Sequence, residues 1–450
     1  MKPLVTTMAA LVVGAVALSG CSSNSKKAAT PSGGATSSGA TSAASGSPTA
    51  NSAASSSTAA SSSAPAGPTV QLKIWTGFTG ADGPSYQALV AQFNASHPNI
   101  QVTMDIQPWA SIAQKLPQAW ATGTGPDIAT PSFDPGSIFN YVQNNAVVPL
   151  DGGTGDSQID PAAFPPSVSK AFTTNGHLYA APANMATLVL YYNKKLFAKA
   201  GIAAAPTTQA DFIADVKKLT GNGVYGLSLG DHATIQMWPI LQWMNGGDLT
   251  DSKGCATIQQ PASVQALQTW ADLVTKNHVS PIGQDGSTAD TVFAAGKAAM
   301  EINGPWAAGT FRTAGIDLGI AQVPVGSAGP VTLLSTVPMM VAKSSKHQAE
   351  AEQFVAWWTG KTAQQAFAEK SGFPPVRTDM GSTQFTNPDV SIFAAALPTG
   401  KLYLGGLAQG SAIDSDIYVP LIGKITRGAN VQSSADSAAA AINKLTGCKG

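Results

Sequence analysis

A possible catalytic motif lies in the middle of the chain, at residues 226–230. This segment reads G-L-S-L-G and matches the G-x-S-x-G pattern, which places a nucleophilic serine on a tight turn. Asp231 and His232 follow directly after it. A catalytic triad takes its base and its orienting carboxylate from separate loops, in line with the serine. Consecutive residues diverge along a strand or turn, so we interpret 226–230 as a strand that leads into a loop.

Other patterns that could support catalysis or metal binding are incomplete. The chain has no H-E-x-x-H segment, and its five histidines are dispersed without the spacing of a zinc site. Residues 360–362 read G-K-T but lack the upstream glycine of a phosphate-binding loop. Asp414 and Asp416 could be the paired carboxylates of a glycoside hydrolase, although a solvated or capping role is the simpler interpretation. We therefore predict a protein that is not an enzyme, with no catalytic residues, cofactor or metal.

The aromatic residues are more informative. The chain has nine Trp, eight Tyr and fifteen Phe, while only 11% of its residues are charged. Several of these aromatic residues fall at the ends of loops. A sugar offers a face of C–H groups that packs on an aromatic ring, and a rim of hydroxyls that need hydrogen bonds. Aromatic side chains interleaved with Asp, Asn and Ser, on loops where two lobes meet, would suit such a ligand.

Length and charge limit the class of protein. At 450 residues the chain is longer than one compact domain usually is, so we expect two domains or lobes. Lys plus Arg and Asp plus Glu each number 25, which gives a formal charge of zero. Nucleic-acid binding needs a basic excess that neutralises phosphates. We therefore predict no nucleic-acid partner.

The N-terminal residues indicate export. Met1 and Lys2 supply a short positive region, and residues 4–18 are an apolar stretch too short for a membrane span. The following L-S-G-C, ending at Cys21, resembles the lipobox of bacterial lipoproteins. This resemblance implies a signal peptide at 1–20, cleavage before Cys21 and acylation of its thiol; an uncleaved anchor is the alternative. The Ser, Ala, Thr, Gly and Pro of 21–67 predict a disordered tether with an r.m.s. span of roughly 35–40 Å.

The remaining cysteines are Cys255 and Cys448. An even number of cysteines in an oxidising exterior favours a disulfide between them. Two separate free thiols are the alternative. A bridge would tie the C-terminal tail to the loop at 245–260.

The elements that would position these residues alternate between strand and helix. Residues 70–75 and 100–106 have the pattern of strands, and the segment between them has the periodicity of a helix. This βαβ opening predicts an α/β architecture. The β-branched, aliphatic and aromatic run at 187–192 predicts a strand buried on both faces. Residues 336–342 predict a second strand of this kind.

Several motifs resemble, in their order along the chain, those of the extracellular solute-binding proteins of bacterial ABC importers, in the large sugar-binding branch. The segment 182–197 resembles that family's P-x-x-x-x-x-x-x-x-Y-Y-N-K strand, which crosses between two lobes. Residues 123–128, 293–302 and 371–377 resemble further family motifs, and the likeness covers roughly 70–446. It implies an α/β fold of the periplasmic-binding-protein type (type II, or Venus flytrap) with hinge crossovers. We expect a body at 68–450, with lobe 1 at about 68–183 plus 303–336 and lobe 2 at about 184–302 plus 337–450.

The resemblance also implies a set of ligand-binding positions, all in loops or at strand ends of that family. For each of them a core aromatic or an ordinary loop residue is the alternative. The positions are Phe78, Trp109, Asp134, Asn184, His232, Gly304, Trp306, Thr336 and Tyr403.

The ligand and the partners follow from the same resemblance. Relatives that bind glycerol phosphate carry a basic residue where this chain has Tyr403, and a phosphate needs Arg or Lys. Its absence favours a neutral di- or oligosaccharide, although Arg377 or Lys401 could compensate. The expected protein is a monomeric lipoprotein on the outer face of the cytoplasmic membrane that serves importer permease subunits. A glycerol-phosphate binder, a cell-wall hydrolase and an adhesin or scaffold are the alternatives.

Overall fold

The computed structural model describes residues 68–132, 135–233 and 237–449. The expected signal peptide, Cys21 and the tether lie outside these ranges, and so does Asp134. In the described ranges, no helix has the length and apolarity that crossing a membrane would require.

The strands form two main sheets and one small hairpin. Their bounds are β1 (Val70–Thr76), β2 (Ile100–Ile106), β3 (Ile128–Ala129), β4 (Thr173–Thr174), β5 (His177–Leu178), β6 (Ala181–Thr187), β7 (Val189–Asn193), β8 (Met300–Asn303), β9 (Leu318–Ala321), β10 (Thr332–Val341) and β11 (Gly400–Leu402).

The helices cover the sheets and fill the C-terminal third. They are α1 (Gly83–Ser96), α2 (Trp109–Ala121), α3 (Ile138–Gln143), α4 (Pro166–Ala171), α5 (Lys194–Lys199), α6 (Gln209–Leu219), α7 (Met237–Trp243), α8 (Pro261–Thr275), α9 (Gly286–Ala294), α10 (Pro305–Thr313), α11 (Gln348–Trp358), α12 (Lys361–Ser371), α13 (Pro388–Ala396), α14 (Gly410–Ala412), α15 (Val419–Ile425) and α16 (Val431–Thr446). A π-helical segment, Ile413–Tyr418, joins α14 to α15.

The first sheet has the order β11-β10-β3-β1-β2, with β6 also paired to β10. Strands β1, β2 and β3 are parallel, as the predicted βαβ opening requires. Strand β10 runs antiparallel to β3 and β6. Both β6 and β10 are buried along their whole length, which explains their nearly continuous apolar sequences.

The second sheet has the order β8-β7-β9, and all of its pairs are antiparallel. The chain passes from the first sheet to the second at Leu188, between β6 and β7. There the Leu188 N–H donates to the carbonyl of Leu333, and the Thr332 hydroxyl donates to the carbonyl of Leu188. The run at 187–192 is thus parts of two strands, and not the single strand that its composition predicts.

Two large hydrophobic cores define the two lobes. Buried residues from 72–186 and 334–376 form the core of lobe 1. Residues from 188–333 and 404–442 form the main core of lobe 2, beside a smaller cluster around Tyr191 and Phe311. The expected boundaries are therefore wrong for the later segments: 303–333 packs in lobe 2 and 337–376 in lobe 1. The reason is that β10 joins the first sheet and carries the chain back to lobe 1.

The last helix is attached at its end to the loop before α8. The sulfur atoms of Cys255 and Cys448 are 2.05 Å apart, and their Cα atoms are 5.5 Å apart, as in a disulfide. The Ala256 N–H also donates to the side-chain oxygen of Asn443 in α16. Both contacts join segments that are far apart in the sequence.

Candidate functional site

A cavity of about 330 Å³ lies between elements of the two lobes, and we call it the interlobe cavity. Lobe 1 contributes the turn after β1, the start of α2 and parts of β6 and β10, while lobe 2 contributes α9, β8 and the start of α10. The described lining residues are Gly77, Phe78, Thr79, Gly80, Asp82, Trp109, Asn184, Met237, Gly286, Ser287, Asp290, Glu301, Ile302, Asn303, Trp306, Ser335 and Val337.

On the side of lobe 1, the half-buried indole of Trp109 lies against the backbone of Gly77. A methyl group added to Gly77 would come within 2.0 Å of the ring. The side chain of Phe78 meets the same ring edge to face, with centroids 5.7 Å apart. The missing side chain at Gly77 is therefore what lets the indole occupy the cavity wall.

On the side of lobe 2, Trp306 is placed in the same way. Its half-buried ring lies against Gly304, where an added methyl would come within 2.3 Å. The carbonyl of Gly304 accepts a hydrogen bond from the buried Tyr191 hydroxyl at 2.9 Å. Tyr191 lies in β7, so the strand after the crossover fixes the turn that carries Trp306.

Behind the aromatic wall of lobe 1 is a chain of buried polar contacts. Phe78 stacks on Tyr86, with ring centroids 3.7 Å apart. The Tyr86 hydroxyl accepts a hydrogen bond from the Asn184 amide at 2.5 Å, and it is also hydrogen-bonded to Asp82. Burial raises the pKa of Asp82 to about 6, although hydrogen bonds from its own backbone and Tyr86 oppose the shift.

Lobe 2 contributes two carboxyl groups. The Asn303 amide donates to Asp290 at 2.7 Å and to Glu301 at 2.9 Å, which links the two side chains. Burial, followed by the charge of Asp290, raises the pKa of Glu301 well above its ordinary value. Burial also raises the pKa of Asp290, while its hydrogen bonds to Glu301 and Asn303 oppose the shift.

Four of the residues predicted from the sequence meet at this cavity: Phe78, Trp109, Asn184 and Trp306. Gly304 lies directly behind Trp306 and shapes the cavity without lining it. The structure thus brings together predicted residues that are more than 200 positions apart in the sequence.

Three further predicted residues do not line the interlobe cavity. Thr336 is fully buried, and its hydroxyl donates to the carbonyl of Asn184. His232 is half exposed, and its Nδ1 lies 3.2 Å from Asp231. Tyr403 packs against the core of lobe 2, and its hydroxyl donates to Asp414.

Sequence reasoning missed the carboxyl groups of the cavity: Asp82, Asp290 and Glu301. Asp82 precedes a helix and looks like an ordinary N-terminal residue, while Asp290 lies inside a helix. Glu301 interrupts an apolar strand, and this was the one available signal. A charged residue in the middle of a buried strand is unusual and often functional.

The possible nucleophile has no catalytic geometry. Ser228 is fully buried, and its hydroxyl donates to the carbonyl of Ala289 at 2.8 Å. Asp231 accepts hydrogen bonds from the Gly283 N–H and the Thr426 hydroxyl. Residues 226–230 form no regular strand, contrary to the prediction, and only an isolated bridge joins Ser228 to Glu301.

The lining of the interlobe cavity has acidic side chains but no described basic ones. It contains three carboxyl groups, but none of the described lining residues is Lys, Arg or His. The cations named as possible phosphate partners lie elsewhere: Arg377 pairs with Asp379, and Lys401 pairs with Asp248. No group of three metal-binding side chains is assembled in the part of the chain that the structure describes.

The chain is similar to a family of known binding proteins. The family model of the bacterial extracellular solute-binding proteins matches residues 78–365, more than half of the chain. A diacetylchitobiose-binding protein, DasA of Streptomyces coelicolor, is 26% identical over 356 residues, covering 73% of this chain and 78% of the relative.

Solved structures have the same architecture. The GacH receptor of Streptomyces glaucescens, solved unliganded and with acarbose and an acarbose homolog, has a TM-score of 0.73 and 26% identity. The match covers 84% of this chain and 99% of GacH. UgpB of Mycobacterium tuberculosis, in complex with glycerophosphocholine, has a TM-score of 0.73 and 22% identity, covering 85% of this chain and 98% of UgpB. These likenesses confirm the predicted α/β, two-lobe fold.

Proposed function

Because this chain belongs to the bacterial extracellular solute-binding proteins, we propose that it is the substrate-binding component of an ABC importer. It captures a di- or oligosaccharide between its lobes and delivers it to permease subunits, without doing chemistry on it. DasA, whose name gives a chitobiose derivative, and GacH, solved with acarbose, support a saccharide ligand.

The observation that carries this proposal is the pair of indoles in the lining of the interlobe cavity. Trp109 belongs to lobe 1 and Trp306 to lobe 2, and each is seated against a glycine. A sugar ring that packs on either indole leaves its hydroxyl rim toward the carboxyl and amide groups between them. Both lobes therefore contribute contacts to one ligand.

The proposed mechanism is a shift between open and closed lobes. A ligand that touches both lobes has more contacts in the closed form, and this difference in affinity favours closure. The paired strands β6 and β10, with the crossover at Leu188, are the connection about which the lobes move. The permease then recognises the closed form.

The charge of the cavity argues against the glycerol-phosphate alternative. A phosphate would enter a lining with three carboxyl groups and no described cation. Desolvated like charges repel, and no Arg or Lys is among the described lining residues to bind a phosphate, although α9 and α10 begin at the cavity. We therefore favour a saccharide without an anionic group.

We further propose that the protein is exported and anchored through lipid on Cys21, as the lipobox-like sequence implies. Labelling cells with a radioactive fatty acid should mark the wild-type chain but not Cys21→Ser. Labelling of both chains alike would rule out this attachment site.

The first test uses thermal unfolding to measure the binding of mono-, di- and trisaccharides and glycerol phosphates. A ligand at about 100 times its dissociation constant should raise the free energy of unfolding by roughly 2.7 kcal/mol. Trp306→Ala should weaken binding by roughly 2 kcal/mol or more, about 30-fold, because a central aromatic contact is lost. Trp357→Ala, in α11 and away from the cavity, is the control and should bind as the wild type does. Unchanged affinity in Trp306→Ala would contradict the assigned site.

A further inference from the structure

The interlobe cavity has three carboxyl groups and no cation among its described lining residues. Asp82 approaches it from lobe 1, and Asp290 and Glu301 from lobe 2. The internal residues that the structure does not describe are Phe133, Asp134 and 234–236, which read T-I-Q. None of these side chains is cationic, so they cannot supply the missing positive charge.

Two basic side chains of lobe 2, Arg312 and His232, pair with carboxylates outside the cavity lining. Arg312 forms two hydrogen bonds with Asp389, at 2.6 and 2.7 Å. His232 pairs with Asp231, and its charge acts on Asp285 at the start of α9. The other titratable groups facing the carboxyls are Tyr86, Tyr191 and Asp285, which are neutral or negative. The three carboxyl groups therefore have no cationic partner in the described residues.

Glu301 shows the imbalance most directly. Its side chain is 1% exposed, and its Oε2 atom accepts no hydrogen bond from any residue that the structure describes. With both carboxyl groups ionised, neither Asp290 nor Glu301 has a proton to donate to the other. A proton on Glu301 would allow a hydrogen bond to Asp290, and this contact contributes to the raised pKa of Glu301. A buried acceptor without a donor destabilises the fold, and more so when the acceptor is charged.

A ligand can replace that proton. Carboxylates bind an ammonium group through charge-assisted hydrogen bonds, and an aromatic face within about 6 Å adds a cation–π attraction. The lining of the interlobe cavity contains both kinds of group, the three carboxyls and the indoles of Trp109 and Trp306. A hydroxyl could donate to Glu301 but would leave the excess charge uncompensated.

We propose that the interlobe cavity selects a saccharide that carries a basic amine, with its ammonium group against Glu301 and Asp290 and within reach of Asp82. This inference rests on the proposed function and names its substrate class. It replaces the neutral sugar expected from the sequence. That expectation came from the lack of a basic residue at Tyr403, which argues against anions but not against cations.

The test uses disaccharides that differ at a single substituent. We would titrate the full chain with 2-amino disaccharides of β-1,4 and α-1,4 linkage, each beside its N-acetyl and 2-hydroxyl counterparts, by calorimetry. Glycerophosphocholine, a zwitterion with a quaternary ammonium group and a phosphodiester, is added as an ammonium ligand without a sugar ring. An amine form bound at least 10-fold tighter than both counterparts supports the inference. Equal or weaker binding of every amine form overturns it but leaves the proposed function standing.

Two other outcomes are also decisive. If no saccharide binds, the inference and the proposed function are both wrong. If glycerophosphocholine binds and no saccharide does, the ligand is not a saccharide, and the cavity accepts a ligand that carries both an ammonium group and a phosphodiester.

Variants connect the preference to the carboxyl groups. Asp290→Asn and Glu301→Gln should each reduce the ratio of amine to hydroxyl affinity by at least fivefold, whatever their effect on stability. Asp285→Asn is the matched control: it removes the same charge beside the cavity, and Asn retains the N-cap of α9. An unchanged ratio in both cavity variants, or an equal fall in the control, would contradict the assignment.

Discussion

At the scale of single residues, Gly77 decides where one wall of the interlobe cavity lies. The methyl of Gly77→Ala would overlap the Trp109 ring, at 2.0 Å, so the indole has to move away from the cavity wall. We expect ligand affinity to fall about 10-fold or more, because a displaced stacking contact is a central part of the binding energy. Calorimetric titration with the best-binding saccharide measures this change.

A matched control exists for this substitution. An added methyl at Gly152 meets no atom within 4 Å, so Gly152→Ala tests the change of residue type alone. Its affinity should equal that of the wild type. If Gly77→Ala also binds normally while it remains folded, the seating of Trp109 on this glycine does not matter for the ligand.

Asp82 should make stability depend on pH. Its pKa in the folded protein is raised to about 6, above the ordinary value of 3.8, because burial penalises the charged form. The folded state therefore holds a proton that the unfolded state has released between about pH 4 and pH 6. It follows that the contribution of Asp82 to stability is fully present below pH 4 and is lost as the pH rises through 6.

The measurement compares melting temperatures of the wild type and Asp82→Asn from pH 4 to pH 7. The wild type should lose stability relative to the variant as the pH rises, since Asn does not ionise. Asp290 and Glu301 shift in the same direction but are present in both proteins, so the difference isolates Asp82. Parallel curves would show that Asp82 has an ordinary pKa.

At this scale, the sequence was informative about aromatic residues and uninformative about carboxylates. The resemblance to the family pointed to Trp109 and Trp306, and in the fold the ring of each lies against a glycine. Asp82 and Asp290 look like ordinary helical residues. Their approach to one cavity depends on the packing of two lobes, which is not encoded in local periodicity.

At the scale of elements, the local patterns predict the regular strands well. Residues 100–106 were expected as a strand and form β2, and 70–75 fall within β1. The position of the crossover was harder to predict, because its residues are buried before and after the break at Leu188. A run that is apolar on both faces has no period, so the sequence shows burial but not the change of sheet.

The attachment of α16 provides a prediction for an element. A bridge between Cys255 and Cys448 closes a loop of 193 residues in the unfolded chain. Cys448→Ser should therefore lower the free energy of unfolding by roughly 2–5 kcal/mol. Thermal unfolding measures the loss, and non-reducing electrophoresis should show a mobility shift on reduction that is absent from the variant.

The control is Asn443→Ala, which removes a hydrogen bond between the same two segments but keeps both cysteines. We expect a loss of only about 1 kcal/mol and an unchanged shift on reduction. Identical migration of the wild type with and without reductant would leave two free thiols, the alternative that the sequence also allows.

At the scale of the whole molecule, the order of segments along the chain does not follow the lobes. The chain leaves lobe 1 at Leu188, returns through β10, and enters lobe 2 again after β11. Each lobe is thus built from separated segments, and the sequence predicted the two lobes but misplaced 303–333 and 337–376. Only the pairing of β10 with β3 and β6 assigns these segments, and this pairing is a long-range contact.

The same connectivity leads to a prediction about shape. If the lobes close about β6 and β10, adding the saccharide with the highest affinity should decrease the radius of gyration in small-angle X-ray scattering. A sugar that does not bind, at equal concentration, controls for contrast and should change nothing. At the saccharide concentration that closes the wild type, Trp306→Ala should keep the radius of gyration of the ligand-free protein. In this variant the ligand contacts only one indole. Tight binding with no change of radius would show that the ligand enters lobes that are already closed, and the population-shift mechanism would then be wrong.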